Sequence, residues 1–261
     1  MLENIFKGHL EPKAIIYPVL MLSAMWLVFG LQSMGWFNDC SGAIIPLVPE
    51  GLYGILFSPL LHGGIDHIFG NSIPIFALMF LLFQFYPKVA NTVFISGWLA
   101  SGFIVWLLPP IDIFTGLYRH ICIVGASGLV YVLAAFLFFS GIFKWNMKLL
   151  SISLIVALYY GSLIWGVFPQ ELFSDAAEAS RISWQSHLAG AVVGSILAFI
   201  FRKVGEKRKK FIWEYPNYYS ERDDVLWQEY KRNNPEDFSE MPYKKEESIW
   251  EYLDHIRKNH P

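Results

Sequence analysis

Ser127 lies between glycines in Gly125-Ala126-Ser127-Gly128, and His187 opens the run His187-Leu-Ala-Gly190-Ala-Val-Val-Gly194. A third polar island, His62-Gly-Gly-Ile-Asp-His67-Ile-Phe-Gly-Asn71, adds two histidines and an asparagine. A serine becomes a nucleophile when an adjacent base takes its proton, and histidine is the commonest such base. Neutral donors such as His67 and Asn71 suit an oxygen on which negative charge develops. All three islands open long apolar runs, where polar groups are costly and mark function by default.

Spacing adds detail to each island. Ser127 is expected at a helix N-terminus, whose unpaired N–H groups and positive dipole end favour an oxyanion. Tyr131, four residues on, shares the serine's face and is placed to pack against an imidazole. His187, Gly190 and Gly194 share one face, and the glycines let that helix approach a neighbour closely. If the neighbour carries Ser127, His187 reaches it. His67 and Asn71 are four apart and face the same way. His62 does not share that face and is assigned a structural, loop-pinning role.

Each island also has a plainer reading. Gly-x-Ser-Gly is a small-residue cluster that could serve helix packing alone. His187 could be a hydrogen-bonded structural group, and the histidine pair could bind a metal. Against a metal, no thiol or carboxylate completes a ligand set, since Asp66 points away from His67 and a neutral asparagine is a poor zinc ligand. No metal or cofactor is expected.

The elements that must position these groups follow from hydropathy. A bilayer-spanning helix needs about 20 mostly apolar residues. Six such runs occur, at about 14–31, 66–86, 89–108, 124–143, 147–168 and 184–203. The fold class is therefore an all-α polytopic membrane bundle of six helices. Segment 1–13 precedes it, the bundle occupies 14–203, and a polar tail occupies 204–261. The loop 32–61 is apolar, rich in Gly and Pro, with Trp36 near its start, and without Lys or Arg. It is expected to lie in the outer membrane interface. No cleavable signal peptide is evident, so the first run is read as a retained span.

Charge sets the expected orientation. Of twenty Lys and Arg, thirteen lie from Arg202 onward. With both termini cytoplasmic, inner segments carry Lys7, Lys13, Lys88, Lys144, Lys148 and the Arg202–Lys210 cluster, and outer segments carry only Arg119 and Arg181. The second, fourth and sixth spans then all run inward, and the three islands share one depth below the outer surface. The expected location is a bacterial plasma membrane.

The composition is 54% hydrophobic with 16% charged residues, where a soluble domain carries about a quarter charged. A net charge of −2 argues against nucleic acid. Cys40 and Cys122 show no ligand spacing and both fall toward the outer side; they are either a disulfide or, the preferred reading, two free thiols. In the tail, Lys207 to Lys210 suit anionic headgroups. Ile249, Trp250, Leu253 and Ile256 recur at helical spacing and predict a short amphipathic helix.

Taken together, His-x4-His-x3-Asn, Gly-x-Ser-Gly and His-x2-Gly-x3-Gly, in this order on the second, fourth and sixth spans, resemble the rhomboid family of intramembrane serine proteases. The resemblance covers about 14–203. It implies Ser127 as nucleophile and His187 as general base, a dyad without a third acidic residue. It implies an oxyanion hole from the Ser127 N–H, His67 and Asn71, with Tyr131 stacked on the catalytic histidine and Gly190 permitting close packing of the fourth and sixth spans. The implied substrates are single-pass membrane proteins, cut near the outer leaflet. One departure is visible: many members carry Trp-Arg in the first loop, where this chain has Trp36-Phe37. Two other classes fit six spans. A non-catalytic binder of membrane helices would typically have lost the serine or histidine, and a solute transporter would use intramembrane acids, which the spans lack apart from Asp66 at an interface.

Overall fold

A computed structural model describes residues 10–37, 40–109, 116, 121–168, 184–205 and 224–238. Among these the chain is helical. The helices are α1 (Pro12–Ser33), α2 (Gly54–Phe57), α3 (Ile65–Phe85), α4 (Ala90–Leu107), α5 (Ser127–Lys144), α6 (Met147–Tyr160), α7 (Trp184–Ile200) and α8 (Val225–Asn233). Six are long and apolar enough to cross a membrane, counting α6 with the 3-10 turns Gly161–Val167 and α7 with Phe201–Lys203. The expected spans agree to within a few residues. The fourth begins at Ser127, three residues after the expected 124, and the serine stands at the helix N-terminus as its reading there requires.

Burial follows from position in the bundle. α5 is the most buried span and packs on α3, α4, α6 and α7, with α7 its most extensive partner. α1 lies against α3 and buries one stripe, Ala14, Pro18, Met21 and Met25, at helical spacing. Its other face carries exposed Ile16, Leu20 and Leu27, as a lipid-facing helix should. Lipid gives no hydrophobic force between spans, so contact rests on close packing and small residues. A side chain on Gly190 would overlap the Gly128 carbonyl oxygen, and one on Gly194 would overlap that of Val132. These glycines draw α7 against α5, as their spacing predicts.

Polar ties fix the rest. The Trp26 indole donates to Ser72 Oγ across α1 and α3 at 3.2 Å. At the other end of α5, Lys144 is buried, donates to the Val204 carbonyl at 2.6 Å and lies over the Tyr86 ring. The left-handed Trp145 and the Asn146 cap, which accepts from the N–H of Lys148 and Leu149, turn the chain into α6.

The first loop folds into short turns, Pro49–Tyr53, α2 and Ser58–Leu60. Ile44 pairs with Ile123 through reciprocal backbone bonds of 3.0 and 2.9 Å. Trp98 and Trp106 of α4 donate to the carbonyls of Ile55 and Val48. Cys40 and Cys122 form a disulfide, which corrects the reading of two free thiols. Spacing could not reveal the pair, because 82 residues separate the cysteines, whose segments meet at the Ile44–Ile123 pairing.

The chain divides into units Met1–Arg208 and Lys209–Pro261. Within the second, Asp224 caps α8 by accepting from Trp227 N–H, and the Trp227 and Tyr230 rings stack. The basic run Lys207–Lys210 and the helix expected around 249–256 lie outside the described residues.

Candidate functional site

The approach to Ser127 is built by a turn. After the Ile44–Ile123 pairing, Gly125 takes φ +110° and donates to the Ser58 carbonyl at 2.8 Å. That backbone region favours glycine. Ala126 is buried, and α5 then begins at Ser127. The serine's own N–H belongs to the first turn, whose donors have no partner within the helix.

α7 brings His187 across the glycine contact. His187 Nε2 lies 2.9 Å from Ser127 Oγ, and the imidazole is buried. Its Nδ1 lies 2.9 Å from the Gly166 carbonyl oxygen. A carbonyl only accepts, so Nδ1 carries the proton and Nε2 is free to accept from the serine hydroxyl. The Tyr131 ring stacks on the imidazole, with centroids 4.3 Å apart and planes 12° apart. The Tyr131 hydroxyl donates to the Leu163 carbonyl at 2.6 Å.

The second island converges on the same point. A Cβ placed on Gly125 would lie 2.6 Å from His67 Nε2 and 3.6 Å from Asn71 Nδ2. Both side chains of α3 thus reach the backbone two residues before the serine. Asn71 is buried, and its Nδ2 has no hydrogen-bond partner among the described residues. An unpaired buried donor is expensive unless a ligand is meant to take it.

His62 stands behind this pair. Its N–H donates to Gln32 Oε1, its Nδ1–H donates to the Leu60 carbonyl at 3.3 Å, and its ring packs edge-on to His67 at 5.1 Å. These contacts tie it to α1, to the first loop and to His67. Gly128 faces Ser186, where any side chain would collide with Oγ.

The structure therefore brings together Ser127, His187, Tyr131, His67, Asn71, Gly125, Gly128, Gly190 and Gly194. Sequence reasoning missed the turns Gly161–Val167, whose Leu163 and Gly166 carbonyls hold Tyr131 and His187. The only trace in the sequence is a pair of glycines, Gly161 and Gly166, at the end of an apolar run. Among the described residues no group of three His, Cys, Asp or Glu is placed to hold a metal ion.

Residues 49–204, well over half of the chain, match the Rhomboid domain family. The chain belongs to the rhomboid family. Its rhomboid domain takes in the second to sixth spans and all three polar islands. The family is generally one of intramembrane serine proteases, with some inactive members. This rhomboid is similar to an uncharacterized protein of Mycobacterium tuberculosis, 35% identical over 164 residues, covering 62% of this chain and 64% of that one. An uncharacterized protein of Mycobacterium leprae is 30% identical over 159 residues, covering 59% and 58%. The chain thus spans less than two thirds of the length of these relatives. Six apolar helices and family membership make it an integral, multi-pass membrane protein.

Proposed function

We propose that this rhomboid is an active serine endopeptidase that cuts single-pass membrane proteins within or beside their spans. The observation that carries the reading is the 2.9 Å contact of Ser127 Oγ with His187 Nε2 at the N-terminus of α5. Ser127 Oγ attacks the scissile carbonyl carbon while its proton passes to Nε2. The carbonyl oxygen takes the negative charge and meets the Ser127 N–H, His67 and Asn71. Collapse of the tetrahedral species breaks the C–N bond, and His187 returns its proton to the departing amine. An acyl-enzyme remains, and water activated by the same histidine hydrolyses it.

Water must reach a site among apolar helices. A cavity of about 230 Å³ is lined by Gln32, His62, Gly63, Cys122 and Val124, the last of them three residues before Ser127, with room for several waters. The substrate helix must unwind, since its backbone groups are otherwise bonded to one another. Segments with Gly or other weak helix formers near the cut are the expected substrates.

The Lys and Arg asymmetry supports cytoplasmic termini, with the site near the outer leaflet of a bacterial plasma membrane. The Cys40–Cys122 disulfide supports the same orientation, because it ties the site-bearing end of the bundle and disulfides persist in oxidising compartments.

Labelling of the purified protein by a fluorophosphonate tests the reading without a known substrate. The wild type labels; Ser127→Ala and His187→Ala do not, while both keep the wild-type helical content. Absence of labelling in folded wild type would replace the protease by a non-catalytic binder of membrane helices.

A further inference from the structure

We propose that Gly166 is a positioning residue for His187, its carbonyl fixing the base in the tautomer that the reaction requires. The inference rests on the dyad reading above. In a Ser-His-Asp triad a carboxylate orients the imidazole and holds the proton on Nδ1. Here the acceptor facing Nδ1 is the Gly166 carbonyl oxygen, at 2.9 Å. The hydrogen bond on one ring nitrogen decides the state of the other. With Nδ1–H donating to Gly166, Nε2 keeps its lone pair toward the Ser127 hydroxyl. When Nε2 takes the serine proton, the Nδ1–H bond becomes charge-assisted and strengthens. A carboxylate in this buried place would carry a large desolvation cost; a backbone carbonyl is already there.

The end of the fifth span makes that carbonyl available. The last carbonyls of a helix have no partner within it. Gly166 is the last residue but one of the turns Gly161–Val167, and its carbonyl accepts from His187, while Leu163, earlier in the same turns, accepts from Tyr131. One short segment thereby holds both rings of the stack. Position 166 must be glycine for this. A Cβ there would overlap the Tyr131 hydroxyl and lie 3.0 Å from His187 Nδ1, displacing the groups that the carbonyls hold.

The test is nitrogen NMR of ¹⁵N-histidine-labelled full-length protein in lipid, at a pH where His187 is neutral, with the signal assigned by its loss in His187→Ala. The expected wild-type signature is a protonated Nδ1 and an unprotonated Nε2. Gly166→Ala should lose that tautomer preference and label with fluorophosphonate roughly ten- to a hundredfold more slowly. A wild-type His187 protonated on Nε2 would overturn the proposal, whatever the variant does. So would a Gly166→Ala protein with the wild-type tautomer and labelling rate. Should that variant not fold, the wild-type signature still decides. A wild type with protonated Nδ1 that fails to label would sink the protease reading and leave the positioning role standing.

Discussion

His62 is buried beside His67, and burial first, then the neighbouring histidine, lowers its pKa from 6.5 to about 4, against a raising effect of the Leu60 carbonyl bond. The folded protein keeps this imidazole neutral where the unfolded chain protonates it. Between about pH 6.5 and 4 the unfolded state therefore binds more protons, and stability falls as pH falls through that window. Thermal unfolding across that range should show a falling midpoint in the wild type and a shallower fall in His62→Gln. Equal slopes would remove His62 from the acid sensitivity of the fold. The register of His62 was legible in the sequence, because five residues from His67 takes it off the face that His67 shares with Asn71. Its edge-on contact with His67 was not, because the loop folds back only in three dimensions.

At the level of elements, the α5–α7 contact decides whether Ser127 and His187 meet. Gly190 has no space for a side chain, since a Cβ would overlap the Gly128 carbonyl and lie 3.0 Å from Tyr131 Cβ. Gly190→Leu should separate the helices, abolish labelling and lower stability by about 1–3 kcal/mol, the usual cost of overpacking. Gly30 in α1 is a matched control, with open space where its Cβ would be. Gly30→Ala should leave labelling and the melting midpoint at or slightly above wild type. If Gly190→Leu labels like the wild type, close approach of α5 and α7 is not what assembles the dyad. The small-residue spacing on His187, Gly190 and Gly194 announced this contact in the sequence. The turns after α6 left only Gly161 and Gly166 as a trace, because an apolar run reads alike as α-helix or 3-10 turns.

Across the first unit as a whole, one covalent tie joins segments far apart in sequence. The Cys40–Cys122 bond closes a loop of 82 residues that includes α3 and α4, and it ends five residues before Ser127. Closing a loop of that size restricts the unfolded chain by about 4.5 kcal/mol in the chain-entropy account. Cys40→Ser, or reduction of the wild type, should therefore lower the unfolding midpoint clearly. Thiol alkylation followed by mass spectrometry should find neither cysteine modified until a reductant is added. Alkylation of both without reductant would show that the pair is not bonded. The same region carries the departure at Trp36-Phe37. There the loop is held by the disulfide, the Ile44–Ile123 pairing and the indoles of Trp98 and Trp106.

The six spans and the common end of Ser127, His187, His67 and Asn71 were determined by the sequence alone. The physical reason is that apolar length and helical register are local properties, and a bilayer turns them into spans and shared depth. The contacts across the chain were decided only by the tertiary structure. Gly166 as acceptor for His187, Leu163 for Tyr131, and Cys40 bonded to Cys122 all join segments that the one-dimensional pattern cannot pair. Two of those three use backbone carbonyls, which every residue carries and which therefore leave no mark in the residue types.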